Sequence, residues 1–153
     1  TLPSGITSLG YGCFQSCSAL TSITLPSGFT RLGDNCFYNC YELTSITLPS
    51  GITSLGNQCF YYCSALTSIT LPSGITSLGN NCFYGCLNLH TMTIYAYTPP
   101  TILSNTFGIS SYYTGNTTKP NTLYVLASAT GYESWSADLL DINKCGFVLQ
   151  KTL

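Results

Sequence analysis

Nine cysteines in 153 residues are the first chemistry this sequence offers. Eight of them recur as C-x-x-x-C pairs: Cys13/Cys17, Cys36/Cys40, Cys59/Cys63 and Cys82/Cys86. A thiolate is a nucleophile and a soft metal ligand, and two thiols at the right distance close a disulfide. Zinc ribbons and fingers mostly use C-x-x-C pairs with a second pair at a set distance, so this spacing does not point to zinc. A free Cys in a core behaves as a small hydrophobe, and reduced, buried columns are the favoured reading. Disulfides within the columns stay open as an alternative, because neighbouring strands lie about 5 Å apart, within disulfide reach. Cys145 stands outside the pattern and is the expected accessible thiol.

Catalysis has little to work with. Nucleophilic attack needs a base beside Ser or Cys and a group orienting that base. The single histidine, His90, has no acid where the repeat would place one beside it, and Asp34, Glu42, Glu133, Asp138 and Asp141 are dispersed. No pair of carboxylates suggests acid–base work, and there is no phosphate-cradling loop. No catalytic residue, metal site or cofactor is expected.

Charge narrows the partners. Only 6% of residues are charged, net −1, and Arg31, Lys119, Lys144 and Lys151 occur singly. Nucleic-acid binding rests on clustered cations that displace counterions, so neither nucleic acid nor an anionic membrane surface is an expected partner. Nor does any stretch reach the roughly 18–20 apolar residues of a membrane span. No signal peptide is visible. Thr1 begins inside a repeat, which suggests a trimmed or processed start and an uncapped end capable of end-to-end self-association.

The elements that must position these residues follow from a period of 23. Pro3, Pro26, Pro49 and Pro72 keep it, as do both members of each cysteine pair. Units run 20–42, 43–65 and 66–88 after a partial unit 1–19; the last two complete units differ only at Gln58/Asn81, Tyr62/Gly85, Ser64/Leu87 and Ala65/Asn88. Leu20, Ile23 and Leu25 alternate with Ser22 and Thr24, which predicts a short strand. Pro26-Ser27-Gly28 ends it. A second extended piece spans 29–32, and after Gly33 the apolar spacing through Cys36, Phe37 and Cys40 predicts one helical or 3₁₀ turn. A lone unit cannot bury its apolar side, so the copies must stack as a solenoid.

The regularity breaks late. A degenerate unit, 89–122, starts at Leu89 and sets Phe107 in the place of Phe83, one residue late; Leu123 and Val125 then replace Met92 and Ile94. The interval from Ile94 to Val125 is 31, so the unit carries eight extra residues, placed in 108–120. Residues 123–153 read as a strand and a cap. Ser128 or Thr130 could start a helix whose apolar face holds Tyr132, Trp135, Leu139 and Leu140, before a strand at Phe147-Val148-Leu149. The whole chain is expected to be one domain.

The unit LTSITLPSGITSLGNNCFYGC closely resembles the BspA-like leucine-rich repeat, whose pattern runs L-x-x-I-x-I-P…I-x-x-x-A-F-x-x-C, and the match recurs over residues 1 to 107. TLYVLASATGYESW resembles the end cap of such proteins. Cys13, Cys36, Cys59 and Cys82 depart from the usual Ala, and Leu126 from the usual Pro. The resemblance implies a leucine-rich-repeat solenoid, a right-handed arc of mainly β structure with short helical turns and a C-terminal helix/strand cap. It also implies a bacterial surface or secreted protein concerned with adhesion or host contact.

Two features are candidate ligand sites. Ser22/Thr24, Ser45/Thr47, Ser68/Thr70 and Thr91/Thr93 are expected to form two hydroxyl rows on the solvent side of the strands. Tyr95, Tyr97, Tyr112 and Tyr113 gather around the enlarged unit, and His90 marks its start. Tyr supplies large contact area at low entropic cost. A protein or glycan ligand is the expected partner; the alternatives are a structural spacer in a longer array and, more remotely, an ice-binding face. Asn116-Thr117-Thr118 is a glycosylation sequon, relevant only in a eukaryotic secretory route.

Overall fold

Strands of two to five residues are too short to stand alone, and here almost every one hydrogen-bonds to the equivalent strand of a neighbouring unit. The computed structural model describes residues 2–103, 105–107, 121–132 and 147–151. Within them the chain winds as a parallel β-solenoid of about five turns.

One sheet takes the second extended piece of each unit, in the order β1 (Ser8–Leu9), β3 (Arg31–Leu32), β5 (Ser54–Leu55), β7 (Ser77–Leu78) and β9 (Thr101–Ile102). The other side takes the Ser/Thr strands. There β2 (Ser22–Thr24) pairs with β4 (Ser45–Thr47), and a four-stranded sheet runs in the order β6 (Ser68–Leu71), β8 (Thr91–Ile94), β10 (Asn121–Val125) and β11 (Phe147–Lys151). Identical residues face one another: Ser22 with Ser45, Ile23 with Ile46, Thr24 with Thr47. The enlarged unit comes back in register, with Leu123 beside Met92 and Val125 beside Ile94.

The third seam differs from the expected helical turn. Amides of Asn35, Phe37 and Asn39 donate forward to the carbonyls of Asn57, Cys59 and Tyr61, each at 2.8 Å. Those amides are therefore unavailable to a helix, whose ladder runs backwards within the segment. Only single local turns survive, such as Tyr38 N–H to Asn35 O at 3.1 Å and Cys40 N–H to Phe37 O at 3.2 Å. Two left-handed residues, four apart, make the reversal: Asn35 (φ 57°) and Asn39 (φ 58°), Gln58 (53°) and Tyr62 (54°), Asn81 (53°) and Gly85 (73°). Asn and Gly enter this region readily; Gln58 and Tyr62 pay about 1–2 kcal/mol each for it.

Columns of like side chains fill the interior. Phe14, Phe37, Phe60, Phe83 and Phe107 stack ring on ring, 5.3 Å apart for the first pair and 5.4 Å for the other three. The shifted Phe107 thus completes the column. Where the rungs come closest no side chain fits: a Cβ at Gly79 would lie 2.5 Å from the Asn57 amide nitrogen, and one at Gly56 2.6 Å from that of Asp34. The two ends differ. At the first rung Cys13 and Cys17 are exposed and Phe14 half-buried. At the other end β11 covers the edge of β10, and Tyr132 is buried with its hydroxyl donating to the carbonyls of Ala96 (3.1 Å) or Thr98 (3.3 Å). The helix expected from Ser128 or Thr130 onward falls mostly on residues outside the described ones, as does the eight-residue insertion.

Candidate functional site

The cysteine columns are built to be inert. Cys36, Cys40, Cys59, Cys63 and Cys82 have no exposed surface, and Cys86 is 9% exposed. In the second column the thiols have partners: Cys40 Sγ donates to Phe14 O (3.1 Å), Cys63 to Phe37 O (3.2 Å) and Cys86 to Phe60 O (3.0 Å). Burial pushes the thiols up, Cys36 and Cys86 to about 12 and Cys40 to about 11, from an ordinary 9.0. Thiols held neutral in this way are poor nucleophiles. Where the fourth unit lacks the first-column cysteine, Thr106 takes its place, buried, with its hydroxyl directed at Gly79 O (3.0 Å) and Leu103 O (2.7 Å). Among the described residues no three His, Cys, Asp or Glu gather as metal ligands would. Cys145 lies outside the described residues.

His90 sits where Thr21, Thr44 and Thr67 sit in earlier units. Its amide donates to Thr67 O (3.1 Å), and its exposed ring has Nδ1 2.6 Å from Asn88 O. Asp34 is engaged elsewhere: it accepts the Asn57 amide at Oδ1 (2.9 Å) and Asn57 Nδ2 at Oδ2 (3.1 Å). Asn57 in turn accepts the Asn80 amide at 2.9 Å. These polar side chains tie rungs together. An open depression of about 400 Å³ beside β1 and β3, lined by Ser8, Tyr11, Arg31 and Asp34, has its carboxylate already committed in this way.

The Ser/Thr strand face is different. Ser22, Thr24, Ser45, Thr47, Ser68 and Thr70 are exposed, and Thr91 and Thr93 half-buried. Register places them in the two expected rows, continuous across β2 and β4 and again across β6 and β8. Between β4 and β6 the strands lie side by side without a hydrogen-bonded ladder. Threonine does two jobs in this fold. Thr44, Thr53 and Thr76 turn their hydroxyls onto the carbonyl 23 residues earlier, at 3.0 to 3.2 Å. The strand-face hydroxyls make no such bond among the described residues, so they meet solvent.

At the C-terminal side the face becomes aromatic. Period-two alternation continues past β8, with Tyr95 (41% exposed) and Tyr97 (56%) pointing out and Ala96 (3%) pointing in. Tyr124 pairs with Thr93 and occupies the row of Thr24, Thr47 and Thr70. It is half-buried. Tyr124 was not among the expected site residues; aligning TLYVL on TMTI would have found it. The structure brings Tyr95 and Tyr97 to the strand face with the Thr rows, whereas Tyr112 and Tyr113 lie outside the described residues. A separate aromatic column, Tyr38–Tyr61–Tyr84, stacks on the turn seam at 4.8 and 5.1 Å, with Tyr62 edge-on to Tyr61 at 4.7 Å.

Comparison with known proteins agrees with this geometry. The model of the BspA type leucine-rich repeat region matches residues 1–114 in 6 copies. No curated protein matches the chain at a significant level. Among solved structures, a leucine-rich repeat protein of T. pallidum aligns over 80% of this chain and 56% of its own, at 21% identity and TM-score 0.63. A leucine-rich cell surface protein of Faecalibacterium prausnitzii aligns over 82% of this chain and 38% of its own, at 26% identity and TM-score 0.50. The chain thus spans about half, or less, of the length of these proteins. No helix among the described residues is long and apolar enough to cross a membrane.

Proposed function

The chain belongs to the BspA-type leucine-rich repeat family, and from that premise we propose a non-enzymatic recognition module of a bacterial surface or secreted protein, one repeat domain over 1–153. Its ligand, a protein or a glycan, contacts the strand face and the Tyr-rich fourth unit. The observation that carries the reading is the contrast between the two kinds of threonine: Thr44, Thr53 and Thr76 commit their hydroxyls to a backbone carbonyl, whereas the strand face sets exposed hydroxyls that make no such bond in rows, in register from strand to strand. The cell-surface description of the F. prausnitzii protein supports the location. Contact between chains through the first rung, where Cys13, Cys17 and Phe14 are accessible, belongs to the same reading, with mass that rises with concentration as its readout.

The test is a screen of protein and glycan arrays with the 153-residue chain. Binding is expected to vanish in Ser68→Arg/Thr70→Arg and to weaken in Tyr112→Ala/Tyr113→Ala, with melting unchanged. Binding that survives both variants would place the ligand elsewhere. One observation favours a second reading, a spacer in a longer array: the units 43–65 and 66–88 are nearly identical on their exposed surface. A spacer binds nothing on either array.

A further inference from the structure

The strand face changes character between β6 and β10, and the change bears on ligand chemistry. In the fourth unit Thr91, Thr93, Tyr95 and Tyr97 point outward in line, separated by buried Met92, Ile94 and Ala96. On the next strand Thr93 is paired with Tyr124 and Ile94 with Val125. Tyr95 follows Thr93 by two positions on the same outward face. Tyr95 and Tyr124 therefore flank a floor of hydroxyls from Ser68, Thr70, Thr91 and Thr93 on adjacent strands. The three strands span about 10 Å from β6 to β10, the length of a short oligosaccharide.

Three physical conditions select among ligands. No outward position of β2, β4, β6, β8 or β10 for which a side chain is described carries a charge, so nothing there compensates a sulfate, phosphate or carboxylate. Lys151, on β11, directs its ammonium to Ala129 O at 3.0 Å. The strand β8 is hydrogen-bonded on both sides, which closes the route by which an extended peptide adds itself to a sheet edge. What remains is a surface of hydroxyls, each both donor and acceptor, beside tyrosine rings. Sugars have that chemistry: hydroxyls around the rim and C–H groups on the ring faces, which pack on aromatic side chains.

We propose that the corner formed by Thr91, Thr93, Tyr95, Tyr97 and Tyr124 binds a neutral glycan lying across β6, β8 and β10. The proposal rests on the recognition reading above and names its ligand class. Sugar rings pack on Tyr95 and Tyr124, and the Ser/Thr floor exchanges hydrogen bonds with their hydroxyls. Affinity is expected to be insensitive to ionic strength, because no ion pair contributes.

The experiment is native-gel affinity electrophoresis of the 153-residue chain in gels carrying hydroxyethyl cellulose, mixed-linkage β-glucan or dextran sulfate, with saturation-transfer NMR on cellohexaose as a second measurement. Retardation by the neutral glucans, unchanged in high salt, is expected, with transfer concentrated on ring C–H protons. Tyr95→Ser and Tyr124→Ser are each expected to weaken it about tenfold, as aromatic anchors do at recognition sites. Tyr41→Ser, which removes an equally exposed ring on the turn seam, is expected to leave it unchanged. Absence of both retardation and saturation transfer overturns the proposal, as does full retention in a folded Tyr95→Ser/Tyr124→Ser variant. Salt-sensitive retardation by dextran sulfate alone overturns it too. If a protein from the arrays binds this corner and loses affinity in the tyrosine variants while the glucans never bind, the glycan inference falls and the recognition reading stands.

Discussion

Replacing Phe60 by Ala removes the middle ring of the phenylalanine column. Phe60 has no exposed surface and stacks on Phe37 and on Phe83, each at 5.4 Å. The rungs cannot close the gap, since the Phe37 and Phe60 amides are bonded across them at 2.8 Å. The void persists, which places the loss toward the upper part of the about 3–5 kcal/mol typical of buried Phe→Ala changes. Phe14 stacks on one partner only, at 5.3 Å, and is half-buried; its removal is expected to cost about half as much, roughly 1.5–2.5 kcal/mol. At about 2–4 °C per kcal/mol for a chain of this size, Tm falls by roughly 6–20 °C for Phe60→Ala and by about 3–10 °C for Phe14→Ala. Circular-dichroism melts with urea titrations measure both. Equal losses at the two positions would refute the nearest-neighbour account of stability, because they would mean that a rung's contribution does not depend on how many rungs it touches.

Other outcomes follow from single contacts. Gly79→Ala sets a methyl 2.5 Å from the Asn57 backbone and is expected to unfold the chain at temperatures where Gly5→Ala, with open space around it, melts normally. Asn57→Ala strands the Asn80 amide and is expected to lower urea stability by about 1–2 kcal/mol, while Asp34→Asn, which keeps an acceptor for the Asn57 amide, stays within a few tenths of that midpoint. Native-state alkylation followed by peptide mapping is expected to label Cys13 and Cys17 and to spare Cys36, Cys40, Cys59, Cys63, Cys82 and Cys86; rapid labelling of the buried six refutes the inert columns. Alkaline stability has a definite sign. Because the folded thiols of Cys36, Cys40 and Cys86 titrate near 11 to 12 rather than 9.0, the folded chain holds protons that the unfolded chain releases. Their contribution is fully present below pH 9 and lost as pH rises toward 12, so the urea midpoint is expected to fall across that window and stay flat on their account below it.

The solenoid was legible because its signal is repetition. Spacing alone put Ser22 beside Ser45 and Phe107 in the place of Phe83, and register bears out both. The turn seam was not legible. Cys36, Phe37 and Cys40 have helical spacing, yet their segment's amides are taken by the next rung, and a competition between local and inter-rung hydrogen bonds leaves no trace in apolar periodicity. Left-handed Gln58 and Tyr62 are equally opaque, since only Asn and Gly advertise that conformation. At the strand face the hydroxyl rows could be read but their availability could not: Thr44 and Thr47 are the same residue three positions apart, one committed to a carbonyl and the other open. Tyr124 was hidden by the enlarged unit that separates it from Thr93 by 31 residues while leaving them neighbours.

The forward-pointing amides and the Cys–Phe bonds have a consequence for how such a chain changes over generations. Each joins residues a fixed number of positions apart, 22 for Phe37 to Cys59 and 26 for Cys63 to Phe37. Deleting or duplicating one whole unit re-creates every one of them, whereas a loss of one residue alters the separation of every pair that spans it. Recombination between nearly identical gene segments produces the first kind of change. Length is then free to drift in whole rungs, altering how far the aromatic corner stands from the opposite end without altering the corner.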